Sequence, residues 1–277
     1  MIDIEHMAAG LVGVPGVAAV TLGGSRARSA HRPDSDWDIG IYYREPLDLA
    51  GLRALAAELT GRPTEIAPPG GWGPWVNGGA WLTVDGDHVD WILRDLDRVL
   101  RVWQDCRKGK YEVGHQRGHP LGFWSPCYPG EVALCCVLAD PDGELSALHA
   151  ETASYPEPLR AALVAAAGEA EFSVQLAAKP VASGDVLYVS LCVSRAVGVL
   201  VQALFGWHRQ WCLNEKGALD AAGRLPGTPP DFAERARALL GHPGRTPEAL
   251  AETVAAAADL VTETRAALTG DPPRIPG

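Results

Sequence analysis

Residues 23–38 read Gly-Gly-Ser-Arg-Ala-Arg-Ser-Ala-His-Arg-Pro-Asp-Ser-Asp-Trp-Asp. An apolar run, 17–22, precedes this stretch, and a second, 39–43, follows it. The first reads as a strand, and Trp37–Tyr43 reads as the second. Gly23-Gly24-Ser25 at the end of the first is a small-residue turn that lets main chain approach a phosphate closely, with amides at a following helix start facing the anion. Asp36 and Asp38 stand two positions apart, so on one strand they share a face. Two adjacent carboxylates repel unless a cation lies between them. Mg²⁺ is commonly held by one or two carboxylates together with substrate phosphates. The combination points to magnesium–nucleotide chemistry.

Working outward, residues 3–13 predict a short helix ended by Gly13 and Pro15. Asp48 predicts the N-cap of a helix running to Thr60. Residues 68–79 are rich in Gly, Pro and Trp and predict a loop. Two apolar runs, 80–84 and 88–93, flank Asp85-Gly86-Asp87 and predict a hairpin. Residues 96–106 read as helix and 107–130 as an irregular connection. Alanine-rich helical patterns then occupy 157–178, 184–206, 229–240 and 246–268. The expected organisation is an α/β (α+β) domain with a small mixed sheet over 1–128, an all-α helical bundle over 129–270, and a disordered tail over 271–277.

Asp90 lies inside the apolar run 88–93, where a carboxylate without a partner is costly. If that strand neighbours 37–43, Asp90 joins Asp36 and Asp38. Three carboxylates can hold two Mg²⁺ ions, one escorting a triphosphate and one acting on an attacking hydroxyl.

The spacing Gly24-Ser25, ten residues, Asp36-Trp37-Asp38, with Asp90 as third acid, resembles the signature of the nucleotidyltransferase superfamily that includes DNA polymerase β. More narrowly it resembles the minimal and antibiotic nucleotidyltransferases. The resemblance covers about residues 17–93. It implies transfer of a nucleoside monophosphate, with AMP from ATP favoured, from an NTP to a hydroxyl with release of pyrophosphate. It also implies catalytic and metal roles for Asp36, Asp38 and Asp90, with Gly24 and Ser25 holding the triphosphate and a helical C-terminal domain closing the substrate cleft. A homodimer is compatible with it. The favoured acceptor is a small molecule, of aminoglycoside-like or lincosamide-like kind. Alternatives are a protein or tRNA acceptor, as in toxin–antitoxin pairs, and a non-catalytic nucleotide-binding module.

Other residues are weighed around this centre. Arg26 and, more distantly, Arg28 are candidates for phosphate contact, against a reading as solvated surface. Lys216 is a candidate to neutralise triphosphate charge from the helical half, against a reading as an ordinary helix-end lysine. Glu215, Asp185 and Glu171 are candidates for a general base. Trp72, Trp75, Asn77 and Trp81 precede Asp90 and read either as a base- or sugar-stacking loop or as a loop pinned by its own tryptophans. Cys106, His115, His119 and Cys127 form a weak zinc pattern, because Gly118 and Pro120 break the helix that a His-x3-His pair needs.

Composition bounds these readings. The 277 residues carry 34 acidic and 24 basic side chains, a formal charge of −10 that argues against nucleic acid as the main partner. Arg107-Lys-Gly-Lys110 is a local basic patch. With 47% hydrophobic residues, the chain can bury a core. No uninterrupted apolar run approaches ~20 residues, so no membrane span is expected. The first residues lack a signal-peptide pattern, and a cytoplasmic location is the default expectation. Six cysteines without a C-x-x-C pair read as reduced thiols.

Overall fold

The computed structural model describes residues 2–27 and 35–273. The described chain divides into two compact units, the first formed by 1–105 and 111–154, the second by 106–110 and 155–277.

The first unit begins with α1 (Ile4–Val12), capped by the Asp3 carboxylate on the His6 N–H. It continues through β1 (Val17–Leu22), the single turn α2 (Gly24–Ala27), β2 (Trp37–Tyr43) and α3 (Leu49–Thr60). Asp48 caps α3 through the amides of Ala50 and Gly51, both at 3.0 Å, as its position before an apolar period requires. The hairpin follows as β3 (Gly79–Val84) and β4 (Asp87–Asp95), then α4 (Leu96–Arg107), β5 (Val113–Gln116), β6 (His119–Trp124), α5 (Cys127–Ala133), β7 (Cys136–Ala139) and α6 (Glu144–Thr152).

Five strands form a mixed sheet in the order β3-β4-β2-β1-β7. The β2–β4 pair is parallel and the other pairs are antiparallel. Alternation gives the sheet two distinct faces. One carries Ile39, Ile41, Tyr43, Val89, Trp91, Leu93 and Leu82, buried with Met7 and Leu11 of α1 and Leu52 and Ala56 of α3. The Trp91 indole donates to the Met7 sulfur at 3.4 Å within this core. The opposite face carries Asp38, Gly40 and Tyr42 on β2, and Asp90, Ile92 and Arg94 on β4.

Two differences from the sequence expectation concern residues 107–154. The connection expected to be irregular contains the β5–β6 hairpin and α5. Its order comes from distant partners: Gln116 is buried against the tryptophan loop, and Tyr128 donates to the Trp75 carbonyl at 2.6 Å. The expected division at 128/129 differs from the division of the compact units at 154/155, because β7 pairs with β1 and joins the first unit's sheet.

The second unit is helical: α7 (Glu157–Ala178), α8 (Val186–Trp207), α9 (Ala218–Gly223), α10 (Phe232–Gly241) and α11 (Pro247–Ala267). Leu159, Leu163, Ala167 and Val174 of α7 and Val189, Val193, Leu200 and Leu204 of α8 are buried, and Leu250, Ala257 and Leu260 of α11 complete the core. Gly206 lets α8 approach Leu163, whose Cβ would lie 2.7 Å from a side chain there. α8 is long and apolar enough, by length and composition, to cross a membrane, with a mean hydropathy of 1.7. Arg195 interrupts its apolar sequence and pairs with Glu169 at 2.6 Å. Of the expected tail, Asp271 accepts from Arg209 at 3.3 Å, and 274–277 lie outside the described residues.

Candidate active site

β2 and β4 run parallel in a register that sets Asp38 directly beside Asp90. Both are half-buried, and being register partners on adjacent strands they share a sheet face. The turn after β1 meets the same place. Gly24 has φ of +64°, and a Cβ built there would lie 1.7 Å from Asp38 Oδ2. The Gly23 N–H donates to the Asp38 carbonyl at 2.7 Å, which ties the turn to the acidic strand. Glycine is therefore required at 24 twice, for the backbone conformation and for the space the carboxylate fills. Ser25 lies in the first turn of α2, next to this contact.

Asp36 stands differently. It precedes β2 and is exposed, so the strand pleat that aligns Asp38 with Asp90 does not extend to it. Among the described residues no three His, Cys, Asp or Glu side chains gather closely enough to hold a metal ion. The expected three-carboxylate centre is thus a register pair, Asp38 and Asp90, with Asp36 beside it in sequence and outside the strand. Two carboxylate side chains on one face, next to a glycine turn, still match what Mg²⁺ takes from a protein when phosphates supply the other ligands.

Arg26 turns back on the acidic segment. Its Nε and Nη2 donate to the Ser35 carbonyl at 3.0 and 2.6 Å, Nε also reaches the Asp36 carbonyl at 3.2 Å, and the guanidinium lies 4.1 Å over the Trp37 ring. It ties α2 to the two residues that precede β2. Arg28 lies outside the described residues.

Beyond Asp38 and Asp90 the same face is closed. Tyr42 and Arg94 are register partners and buried. Arg94 makes a two-pronged contact with Glu131 of α5, at 2.7 and 2.8 Å. Burial alone would lower the Arg94 pKa, but the Glu131 charge outweighs it and holds the guanidinium protonated. Burial, with Glu131 nearby, pushes the Tyr42 phenol well above its ordinary range.

The tryptophan loop divides into two roles. Trp75 is buried, stacked on Phe123 at 5.5 Å and covered by Arg98 at 4.2 Å. Gln116 Oε1 accepts from the amides of Trp75 and Val76, both at 3.0 Å, and Gln116 Nε2 donates to the Trp72 carbonyl at 2.9 Å. Asn77 accepts from the Gly70 amide at 2.7 Å and donates to the Tyr43 hydroxyl. These contacts pin the loop. Trp81, by contrast, is 72% exposed and stacks on Trp72 at 4.5 Å. Sequence reading treated these tryptophans together. The signal separating them was strand parity: Trp81 pairs with Asp90 and shares its face.

In the second unit, Lys216 is exposed in the turn before α9, with its amide donating to Asn214 Oδ1 at 2.9 Å. Asp185 is the N-cap of α8, accepting from the Tyr188 amide at 3.0 Å, and Glu171 pairs with Arg265 of α11. Both acids thus have structural work within the helical unit. His115 and His119 sit on the β5–β6 hairpin, and His119 meets the edge of Phe123 at 5.2 Å.

The comparison with known proteins reaches the Gly24 turn, Asp36 and Asp38 but not Asp90. Residues 11–73 match the family model described as Nucleotidyltransferase domain, and residues 131–216 match one described as Domain of unknown function (DUF4037). Among solved structures, a nucleotidyltransferase-like protein from Exiguobacterium sibiricum 255-15 is similar at 10% sequence identity, over 94% of this chain and 75% of that one, with a TM-score of 0.49. No curated protein matches the chain.

Proposed function

We propose that this chain, whose residues 11–73 match the nucleotidyltransferase domain, transfers a nucleoside monophosphate, preferentially AMP from ATP, to a hydroxyl of a small molecule with magnesium as cofactor. The observation that carries this reading is the register pairing of Asp38 with Asp90 beside a glycine turn whose missing side chain makes room for the Asp38 carboxylate.

In this reading Gly24 and Ser25 receive the β- and γ-phosphates, where the absence of a Cβ and the amides of the turn favour an anion. Asp38 and Asp90 hold Mg²⁺, and Asp36 stands ready at the strand entry. Bound there, Mg²⁺ supplies neutralisation of the triphosphate and Lewis acidity toward the acceptor oxygen. The reaction forms a P–O bond between the acceptor oxygen and the α-phosphorus, breaks the bond from that phosphorus to the α–β bridging oxygen, and releases the hydroxyl proton and pyrophosphate. Arg26 keeps the entry to β2 in place by clasping the Ser35 and Asp36 carbonyls. The acidic balance of the chain suits a cationic acceptor such as an aminoglycoside-like antibiotic.

The test is direct. The full-length protein is titrated with each NTP and Mg²⁺ by calorimetry, and pyrophosphate is followed with a panel of hydroxyl acceptors. Binding of an NTP that depends on Mg²⁺, lost in Asp38→Asn, is expected. A protein that binds no NTP in the presence of Mg²⁺ ends the proposal.

A further inference from the structure

Four structural positions line up across the sheet: the Gly24 turn, Asp38 on β2, Asp90 on β4 and Trp81 on β3. Adjacent strands are about 4.8 Å apart, so Trp81 stands one strand from Asp90 and two from Asp38. Residues opposite each other on neighbouring strands share a face, which places the Trp81 ring on the side of the sheet that carries both carboxylates. Trp81 is on an edge strand and is 72% exposed, yet it is not a loose side chain. It stacks on Trp72, with ring centroids 4.5 Å apart and planes 19° from parallel. Trp72 in turn is anchored through its carbonyl by the buried Gln116, and its ring tip lies 3.1 Å from where a Gly79 Cβ would be. A groove of about 600 Å³ runs along this edge, lined by Thr60, Arg62, Glu65, Trp72 and Trp81 together with apolar residues such as Ile66 and Leu82.

The order of the row gives the platform its role. In an in-line displacement at phosphorus, attacking and leaving oxygens lie on opposite sides. If the leaving pyrophosphate sits at the Gly24 turn, at one end of the row, the attacking hydroxyl enters from the Asp90 end. Trp81 is the next residue beyond. We infer that Trp81, backed by Trp72, is the stacking surface for a ring of the acceptor, and that the acceptor is a ring-bearing hydroxyl compound whose flat or C–H-rich face lies on the Trp81 indole while its polar edge enters the Thr60–Glu65 groove. The inference rests on the transfer reading above and sharpens it to a class of acceptor. A pre-ordered aromatic surface costs little conformational entropy on binding, which is where a braced tryptophan pair outperforms a free one.

The experiment measures ring binding separately from nucleotide binding. Kanamycin, lincomycin and trehalose serve as ring probes in saturation-transfer NMR titrations of the full-length protein without nucleotide. MgATP is titrated by calorimetry in parallel. Trp81→Ala and Trp81→Phe are compared with wild type, and because the side chain is exposed, thermal melting should confirm that both fold. The expected result is binding of at least one probe by wild type, weakened about tenfold in Trp81→Ala and largely restored in Trp81→Phe, with MgATP affinity unchanged within about twofold. Equal weakening of MgATP would assign the platform to the nucleobase and overturn the inference. So would wild-type protein that binds none of the three probes, or a Trp81→Ala protein that binds them as well as wild type. Probe binding that follows this pattern in a protein unable to bind any NTP would keep the ring site and sink the transfer reading.

Discussion

Asp38 beside Asp90 and, four residues further along both strands, Tyr42 beside Arg94 occupy one face of one sheet in the same register. At the second pair the chain covers the charge itself: α5 lies over it, and Glu131 takes both prongs of the Arg94 guanidinium. At the first pair two acids meet at half-buried positions, beside a turn built without a side chain. The backbone arrangement is common to both. What differs is what the chain sets beside each pair: an oppositely charged side chain at the second, and a glycine turn at the first. One sheet face is therefore buried at one end and half-buried at the other, two residue pairs apart.

The contrast can be broken from either end. The largest effect belongs to the closed end: Glu131→Ala leaves Arg94 buried and charged, and should cost about 3–5 kcal/mol, read as a lower melting temperature of the first unit by calorimetry. Exchange of both partners for apolar residues should recover most of that loss. At the open end, Asp38→Asn should do the reverse. Pyrophosphate release should fall by about 10²–10³-fold, which is about 2.7–4 kcal/mol of barrier, while the melting temperature moves by no more than a few degrees. A variant that instead unfolds would make Asp38 a structural acid like Glu131. Gly24→Ala comes next. Strain at positive φ should cost about 1–2 kcal/mol, and displacement of the Asp38 carboxylate should lower NTP affinity with Mg²⁺, measured by calorimetry.

The smallest effect tests a buried titratable group in the other unit. His208 is buried with Nε2 2.9 Å from the Pro226 carbonyl, and burial holds its pKa below the ordinary 6.5. The unfolded chain therefore takes up the proton first as pH falls. The associated stability is fully present above about pH 6.5 and is lost as pH drops from there toward the folded pKa. Melting temperatures between pH 8 and 5 should show this decline, and His208→Gln should flatten it.

Much of this architecture was legible because its signals are local. β1 and β2 coincide with their apolar runs, Asp48 caps α3, and α7 begins beyond Pro156 as expected. The pairing of Asp38 with Asp90 was readable only as a condition, that the second strand and the fourth be neighbours. The misses have a shared cause. β5, β6 and α5 are held by Gln116 and Tyr128 reaching the tryptophan loop, and no period within 107–130 announces contacts made to residues 72–76. For Arg26 the sequence shows a cation near a turn, but not the carbonyls of Ser35 and Asp36 toward which it folds. Asp36 and Asp38 share a parity, but a parity argument holds only inside a strand, and β2 starts at Trp37.

The parallel β2–β4 ladder has one more consequence. Asp38 and Asp90 belong to segments separated by a helix, the tryptophan loop and a hairpin strand, and nothing local brings them together. Closing that long loop is an entropic cost the chain meets only when the whole sheet assembles. The unfolded polypeptide therefore has no preformed cation trap, and any ion or nucleotide drawn to this pair acts as a reporter of completed topology. Its binding free energy adds to the stability of the finished sheet alone.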